Sequence, residues 1–214
     1  MHPFHETLLL LVVLIDFWVL GATRLSSTIR ATAIQGALLA ALPLSLYAHV
    51  TVHMVALALG TLVVKAFVLP FFLTRAIREA AVRRETAPVV GFTASLTLGA
   101  AAVALAFAIA PRLELPGVPS PMLVPVALST VIIGLIVLTT RNKAVTQVVG
   151  YLILENGIYV FGLSQAERVP FLVEMGVLLD VFAGVFIMGI VVFHINREFD
   201  SLDSARLTEL SDGC

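Results

Sequence analysis

The sequence is poor in charged residues and in cysteine. Charged residues make up 13% of its 214 residues, against about 25% in an average soluble domain. The single cysteine, Cys214, excludes a disulfide framework and a cysteine-ligated iron–sulfur cluster within this chain. The formal net charge of −1 argues against a nucleic-acid partner, because such a partner requires a basic face.

Catalytic and metal-binding motifs are lacking as well. The chain contains no G-x-S-x-G, no H-E-x-x-H and no phosphate-binding glycine loop. His49 and His53 have the i, i+4 spacing that suits a metal, but no carboxylate or cysteine accompanies them. We interpret them as surface histidines, and we expect no catalytic residue, no metal site and no cofactor in this chain.

Long apolar runs are what the sequence does have. Hydrophobic residues make up 59% of the chain, the mean hydropathy is +1.04, and a membrane-spanning helix needs about 20 mostly apolar residues. We predict an all-α integral membrane protein with about seven transmembrane helices, at 5–23, 31–48, 51–73, 88–110, 121–140, 144–164 and 171–193. They form one transmembrane domain, 1–194, in which short polar loops such as TRLSSTIR join the spans. The polar tail, 195–214, is either a hook for a partner subunit or a frayed terminus.

The basic residues predict the orientation in the membrane. Ten of the 13 lysines and arginines fall in loops on one side, Arg112 and Arg168 fall on the other, and Lys65 lies inside a span. Cytoplasmic loops carry an excess of such residues. We therefore expect an outside N-terminus, a cytoplasmic C-terminus and a multi-pass location in the lipid bilayer of the cell inner membrane.

The predicted span 144–164 carries a polar stripe. Gln147, Tyr151, Glu155 and Tyr159 follow one another every four residues, which places them on a slowly drifting face of a helix. A glutamate in hydrocarbon costs on the order of 2.5–3.5 kcal/mol, so it usually faces protein or water and serves a function. These four residues are candidates for a proton or ion relay, and the alternative is a neutral structural carboxylate hydrogen-bonded between helices.

Other ionisable residues within or beside the spans are candidates for the same relay. Lys65 is a proton carrier, an ion-pair partner of Asp16 or of another subunit's carboxylate, or a side chain that reaches for the membrane edge. Asp16 either takes part in a relay or ion pair or contacts another subunit. Asp180 lies near the middle of the last span, and His194 either passes protons toward it or is an interfacial residue.

Two segments of the chain resemble a known family. The strings QVVGYLILENGIYVFGL and FHINREFDSLD are similar to the hydrogenase-4 component E family, whose members are integral membrane subunits of hydrogenase complexes related to respiratory complex I. The last three helices, 121–194, also resemble the K-type (4L) subunit of complex I and the C subunit of Mrp antiporters. In that pattern Arg141–Asn142 opens a helix, Glu155 matches its buried glutamate, and Asp180 matches the carboxylate of the next helix.

The resemblance implies a membrane-arm subunit of a complex-I-like redox assembly, such as a group 4 nickel–iron hydrogenase. It also implies that the chain has no catalytic site of its own and that Glu155 and Asp180 contribute to coupled proton or sodium translocation. The partners it implies are antiporter-like and complex-I-like membrane subunits and a peripheral hydrogenase arm. The nickel–iron centre and the iron–sulfur clusters are expected in partner subunits. A subunit of an Mrp-type cation/proton antiporter and a purely structural scaffold remain as alternatives.

Overall fold

The computed structural model describes residues 3–46, 51–79 and 89–166, together with 179, 182, 184–186 and 189. The three long ranges are built from helices, in this order: α1 (Pro3–Gly21), α2 (Leu25–Leu46), α3 (Val52–Thr61), a π-helical segment (Leu62–Val68), α4 (Leu69–Glu79), α5 (Phe92–Ile109), a 3₁₀ turn (Ala110–Leu113), α6 (Leu123–Thr140) and α7 (Ala144–Ser164).

Six helical stretches in the described ranges are long and apolar enough to cross a membrane, and α3, the π-helical segment and α4 together form one of them. The chain is therefore a multi-pass membrane protein, and the ranges that the structure describes are built from helices. These stretches correspond to the first six predicted spans. The tail and most of the seventh span, with Asp180 and His194, lie outside the described residues.

The predicted start of the second span is wrong. The prediction began at 31, whereas α2 begins at Leu25, so the polar loop expected at TRLSSTIR shrinks to three residues. The hydroxyls of Thr28 and Thr32 donate to backbone carbonyls four residues earlier, each at 3.0 Å. Because the helix itself satisfies these side chains, a polar sequence continues as helix where composition predicted a loop.

The π-helical segment ends just before Pro70. Proline has no N–H to donate one turn back, and its ring crowds the carbonyl there. The N–H of Leu69 donates to the carbonyl of Val64, five residues earlier, which is the π-helical pattern. Such segments frequently occur at functional sites, and Lys65 lies inside this one.

Helices α6 and α7 pack closely because glycines lie at their contact. A Cβ added at Gly150 would lie 2.5 Å from the backbone nitrogen of Leu138, and one at Gly157 would lie 2.6 Å from that of Val131. Small residues of this kind let membrane helices approach each other closely. Around this pair, α1 contacts α2, α5 and α6, while α2 contacts α7 and the π-helical segment.

We predict that Gly150→Ala destabilises the protein, whereas Gly60→Ala does not. The new methyl group at 150 meets the backbone of α6, and overpacking of this kind costs about 1–3 kcal/mol. The same change at Gly60, with nothing within 4 Å, gains helix propensity. Unfolding of the two variants in detergent measures the difference, and equal midpoints would contradict the close contact of α6 with α7.

Candidate functional site: a buried polar chain

Lys65 and Glu155 form an ion pair inside the bundle. The Lys65 Nζ lies 3.4 Å from the Glu155 Oε1, and the two side chains are 4% and 0% exposed. Nζ also lies 5.8 Å from the centre of the Tyr159 ring, within the range of a cation–π contact. The partner of Lys65 is therefore a carboxylate of the same chain, 90 residues away, and the lysine does not extend toward the membrane edge.

A glycine on α2 makes room for the lysine. A Cβ added at Gly36 would lie 2.6 Å from the Lys65 Cβ and 3.1 Å from its carbonyl carbon. Since real side chains do not approach so closely, α2 can touch the π-helical segment here only without a side chain. The close approach brings α2 beside the lysine, where its own polar residue joins the site.

Two amides connect Lys65 to Asp16. The Lys65 Nζ donates to Asn156 Oδ1 at 3.0 Å, Asn156 Nδ2 donates to Gln35 Oε1 at 3.0 Å, and Gln35 Nε2 donates to Asp16 Oδ1 at 2.7 Å. An ammonium only donates and a carboxylate only accepts, so the two ends determine the orientation of both amides. All three bonds consequently point from the cation toward Asp16.

Asp16 is enclosed by its own chain. Its second oxygen, Oδ2, accepts a hydrogen bond from Thr130 Oγ1 at 2.7 Å, and the side chain is 0% exposed. Both carboxylate oxygens therefore have donors, as buried polar groups require. Asp16 faces the interior of this protein rather than a neighbouring subunit. The polar chain now joins α1, α2, the π-helical segment, α6 and α7.

The predicted stripe on α7 divides into two parts. Glu155 and Tyr159 are buried beside Lys65. Gln147 instead donates to the backbone carbonyl of Arg141 at 2.9 Å, and the partly buried Tyr151 packs against the apolar core. Four residues exceed one helical turn by about 40°, so a stripe with this repeat drifts off the face that the ion pair occupies.

Three members of the polar chain were not predicted: Gln35, Thr130 and Asn156. What could have indicated them is a side-chain amide or hydroxyl near the middle of a span. There the backbone groups are hydrogen-bonded within the helix and lipid offers no partner, so such a side chain needs a partner elsewhere in the protein. Gln35 was overlooked because the predicted second span began at 31, which placed this residue near the first turn of the helix and not near its middle. Asn156 directly follows Glu155 in an otherwise apolar run.

Arg141 connects the helices that carry the site. It is 2% exposed, its Nη2 donates to the carbonyl of Leu20 at 2.7 Å, and its guanidinium lies 4.6 Å from the centre of the Phe92 ring. A cation at the end of α1 satisfies one of the carbonyls that a helix leaves unpaired and complements the helix dipole. Arg141 thereby holds α1 and α5 against the start of α7.

Comparison with known proteins identifies a family. No family model and no solved structure matches the chain. The uncharacterized protein Rv0085 of Mycobacterium tuberculosis is 38% identical over 205 residues, which are 94% of this chain and 93% of that protein. The chain belongs to the Rv0085 family. The match extends over nearly the whole length of both proteins.

Similarity to a hydrogenase component covers a smaller part of this Rv0085 family member. Hydrogenase-4 component E of Escherichia coli K12 is 33% identical over 85 residues, which are 40% of this chain and 39% of that protein. The component of the same name in Shigella flexneri matches equally. The resemblance found in the sequence is thus supported over part of the chain.

The described part of the chain contains no group of three or more histidine, cysteine, aspartate or glutamate residues that could hold a metal ion. The chemistry that the geometry offers there is that of the polar chain itself. It comprises a close ammonium–carboxylate pair and a second carboxylate connected to it through two amides.

We predict that Lys65→Met destabilises the protein more than Lys65→Met combined with Glu155→Gln. Removing one partner of a buried ion pair leaves an uncompensated charge and costs about 3–5 kcal/mol. Neutralising Glu155 in the same chain removes that charge. Unfolding in a denaturing detergent measures both variants, with the exposed Val63→Met as the matched control on the same helical segment. Glu155→Gln alone is measured as well, and a double variant whose loss equals the sum of the two single losses would show that the groups do not interact.

Proposed function

We propose that this protein is a cofactor-free membrane-arm subunit of a complex-I-like redox assembly, a group 4 nickel–iron hydrogenase, in which Lys65 and Glu155 take part in proton translocation. The buried ion pair is the observation that carries the proposal. Ionisable groups at membrane depth mark proton and ion pathways. The partial similarity to hydrogenase-4 component E supports the kind of assembly.

The ion pair can exchange a proton without changing its net charge. A proton that moves from the Lys65 ammonium to the Glu155 carboxylate leaves a neutral amine and a neutral carboxylic acid. Both states have zero total charge, so neither leaves an unpaired charge in a low-dielectric interior, where such a charge is expensive. The pair can then accept or release a proton when the field or hydration around it changes.

The amides assign a different role to Asp16. Carboxyl and amine groups gain and lose protons readily, whereas an amide passes one on only through its high-energy imidic acid form. Asn156 and Gln35 therefore interrupt proton transfer between Lys65 and Asp16 while they transmit charge and hydrogen bonding. In this proposal Asp16 holds Lys65 in place through the two amides, and Glu155 exchanges the proton.

The proposed orientation places the N-terminus outside and the Arg141 turn in the cytoplasm of the cell inner membrane. The Val89 N–H donates to the carbonyl of Thr140 at 2.8 Å, so the connection before α5 lies beside the turn before α7. Arg24 lies in the connection after α1, and Arg75 and Arg78 lie in the last part of α4, at this same end of alternating spans. An excess of arginine at this end of the spans supports a cytoplasmic location for the Arg141 turn.

Purification of the tagged protein from its native membrane in mild detergent, with mass spectrometry and a hydrogen-turnover assay, tests the assembly. We expect antiporter-like subunits together with the polypeptides that hold the nickel–iron centre and the iron–sulfur clusters. Antiporter-like subunits without redox polypeptides would replace the proposal with an Mrp-type antiporter. Isolation of the chain alone would overturn both.

We predict that Glu155→Gln lowers proton translocation by about a hundredfold or more, the effect of losing a positioned acid–base group, while the complex still assembles. Glutamine keeps the shape and loses the exchangeable proton. Asp16→Asn retains translocation within about tenfold, because it removes a charge without interrupting transfer. Acidification of reconstituted vesicles measures both, with the exposed Glu6→Gln as control.

Two results would contradict the assignment. If Glu155→Gln leaves translocation unchanged in an assembled complex, the ion pair is structural. If Asp16→Asn is as damaging as Glu155→Gln in a complex of normal composition, protons pass through Asp16 and the amides do not interrupt them.

A further inference from the structure

Two clefts on the outer surface of α1 and α2 meet at Trp18. One has a volume of about 440 Å³ and includes Arg24 and Leu96 in its lining. The other has a volume of about 320 Å³ and includes Arg30. Trp18 and Ser27 line both clefts. The two clefts therefore adjoin at this pair of residues, and together we call them the groove: the cleft with Arg24 is its upper part, where α1 ends and α2 starts, and the cleft with Arg30 is its lower part.

Each part of the groove carries one arginine, Arg24 in the upper part and Arg30 in the lower part. Arg24 and Arg30 are both exposed, and in the part of the chain that the structure describes neither guanidinium has a carboxylate partner. Lys65 and Glu155, by contrast, compensate each other inside the bundle. Among the described residues the two arginines thus present positive charge without a carboxylate partner, beside an apolar surface near one end of α1 and α2.

Below Arg30 the lower part of the groove is lined by apolar residues and runs toward the middle of the membrane. Leu14 and Ile34 are 63% and 57% exposed along it, and Leu11 lies at its far end. From Gly21 to Leu11 a helix rises about 15 Å, which is about half the thickness of the hydrocarbon core. This is the depth that one acyl chain of a single leaflet occupies.

Trp18 lies at the boundary between the two parts. Its Nε1 donates to the Ser27 Oγ at 3.1 Å, which holds the indole across the groove. Indole rings favour the membrane–water interface, where one end is apolar and the other end is polar. The tryptophan therefore marks the depth at which a lipid headgroup joins its acyl chains.

We propose that this groove binds one anionic phospholipid, whose phosphate lies at Arg24 and Arg30 and whose acyl chain lies along Leu14 and Ile34. One guanidinium group can donate two parallel hydrogen bonds to phosphate oxygens. Basic pockets between membrane helices bind acidic headgroups. The apolar length below the arginines selects a lipid over a free phosphate ion. A zwitterionic phospholipid has the same chains without the net negative charge, so it binds more weakly.

The test uses Trp18, which is the only tryptophan in the protein. The full-length chain is reconstituted in phosphatidylcholine vesicles with a minor share of dibrominated phosphatidylglycerol or the same share of dibrominated phosphatidylcholine. Bromine quenches indole fluorescence on contact. We expect the anionic lipid to occupy the groove about fivefold or more in preference to the zwitterionic one, the effect of roughly one effective basic residue near the surface. Equal quenching by the two lipids would overturn the proposal.

A matched pair of variants separates this groove from general attraction to a basic surface. Arg24→Gln combined with Arg30→Gln removes the preference, whereas Arg112→Gln, an exposed arginine in the connection between α5 and α6, keeps it. Emission without brominated lipid checks that Trp18 keeps its environment in each variant. A preference that persists without Arg24 and Arg30 would contradict the assignment. The same measurement on the complex purified from its native membrane tests whether the groove stays open to lipid; loss of quenching there would show that a protein partner occupies it.

Discussion

One buried ion pair places the strongest constraint on this structure. Lys65 and Glu155 belong to segments far apart in sequence, and each would be costly in hydrocarbon without the other. In the structure, Gly36 lets α2 pack against Lys65, and Lys65 itself lies in the π-helical segment that precedes Pro70. Because hydrocarbon offers no hydrogen bonds, the remaining polar atoms must also find partners within the protein. Packing and electrostatics are therefore determined by the same few positions.

The polar chain has two ends with different chemistry. On one side Lys65 touches a group that can take its proton, and on the other it touches an amide that cannot readily do so. Thr130 and Gln35 each donate a hydrogen bond to one oxygen of Asp16, so its carboxyl group is held in one position relative to Lys65. In the proposed function, this arrangement separates Glu155, which exchanges the proton, from the groups that hold Lys65 in place. A single row of carboxylates would not separate these roles.

The periodic pattern of the sequence describes each helix separately, and contacts between helices are not part of it. Apolar runs predicted six described spans and singled out Glu155, because the cost of burying backbone and charge depends on local composition. The partner of Lys65 could not be predicted, since a periodic pattern describes one helix and the contact joins residues 90 positions apart. Gln35 was missed for a local reason. Serine and threonine residues bonded to their own helix resembled a loop, so α2 was started too late.

The burial of the site determines how a neighbouring subunit can act on it. Asp16 and Glu155 are 0% exposed and Lys65 is 4% exposed, so a partner's side chain cannot touch them while the bundle stays closed. A partner can still act through its field. A unit charge about 10 Å from the nearer group, in surroundings of effective dielectric constant about 20, contributes about 1.7 kcal/mol there and about 1.2 kcal/mol at the other group of the pair, 3.4 Å farther away. Because the total charge of the pair is the same in both states, only the difference of about 0.4 kcal/mol would act on a proton shared between Lys65 and Glu155, roughly a twofold change. In the proposed function, a distant charge therefore has a much larger effect on the gain or loss of a proton by the whole pair than on the transfer of a proton within it.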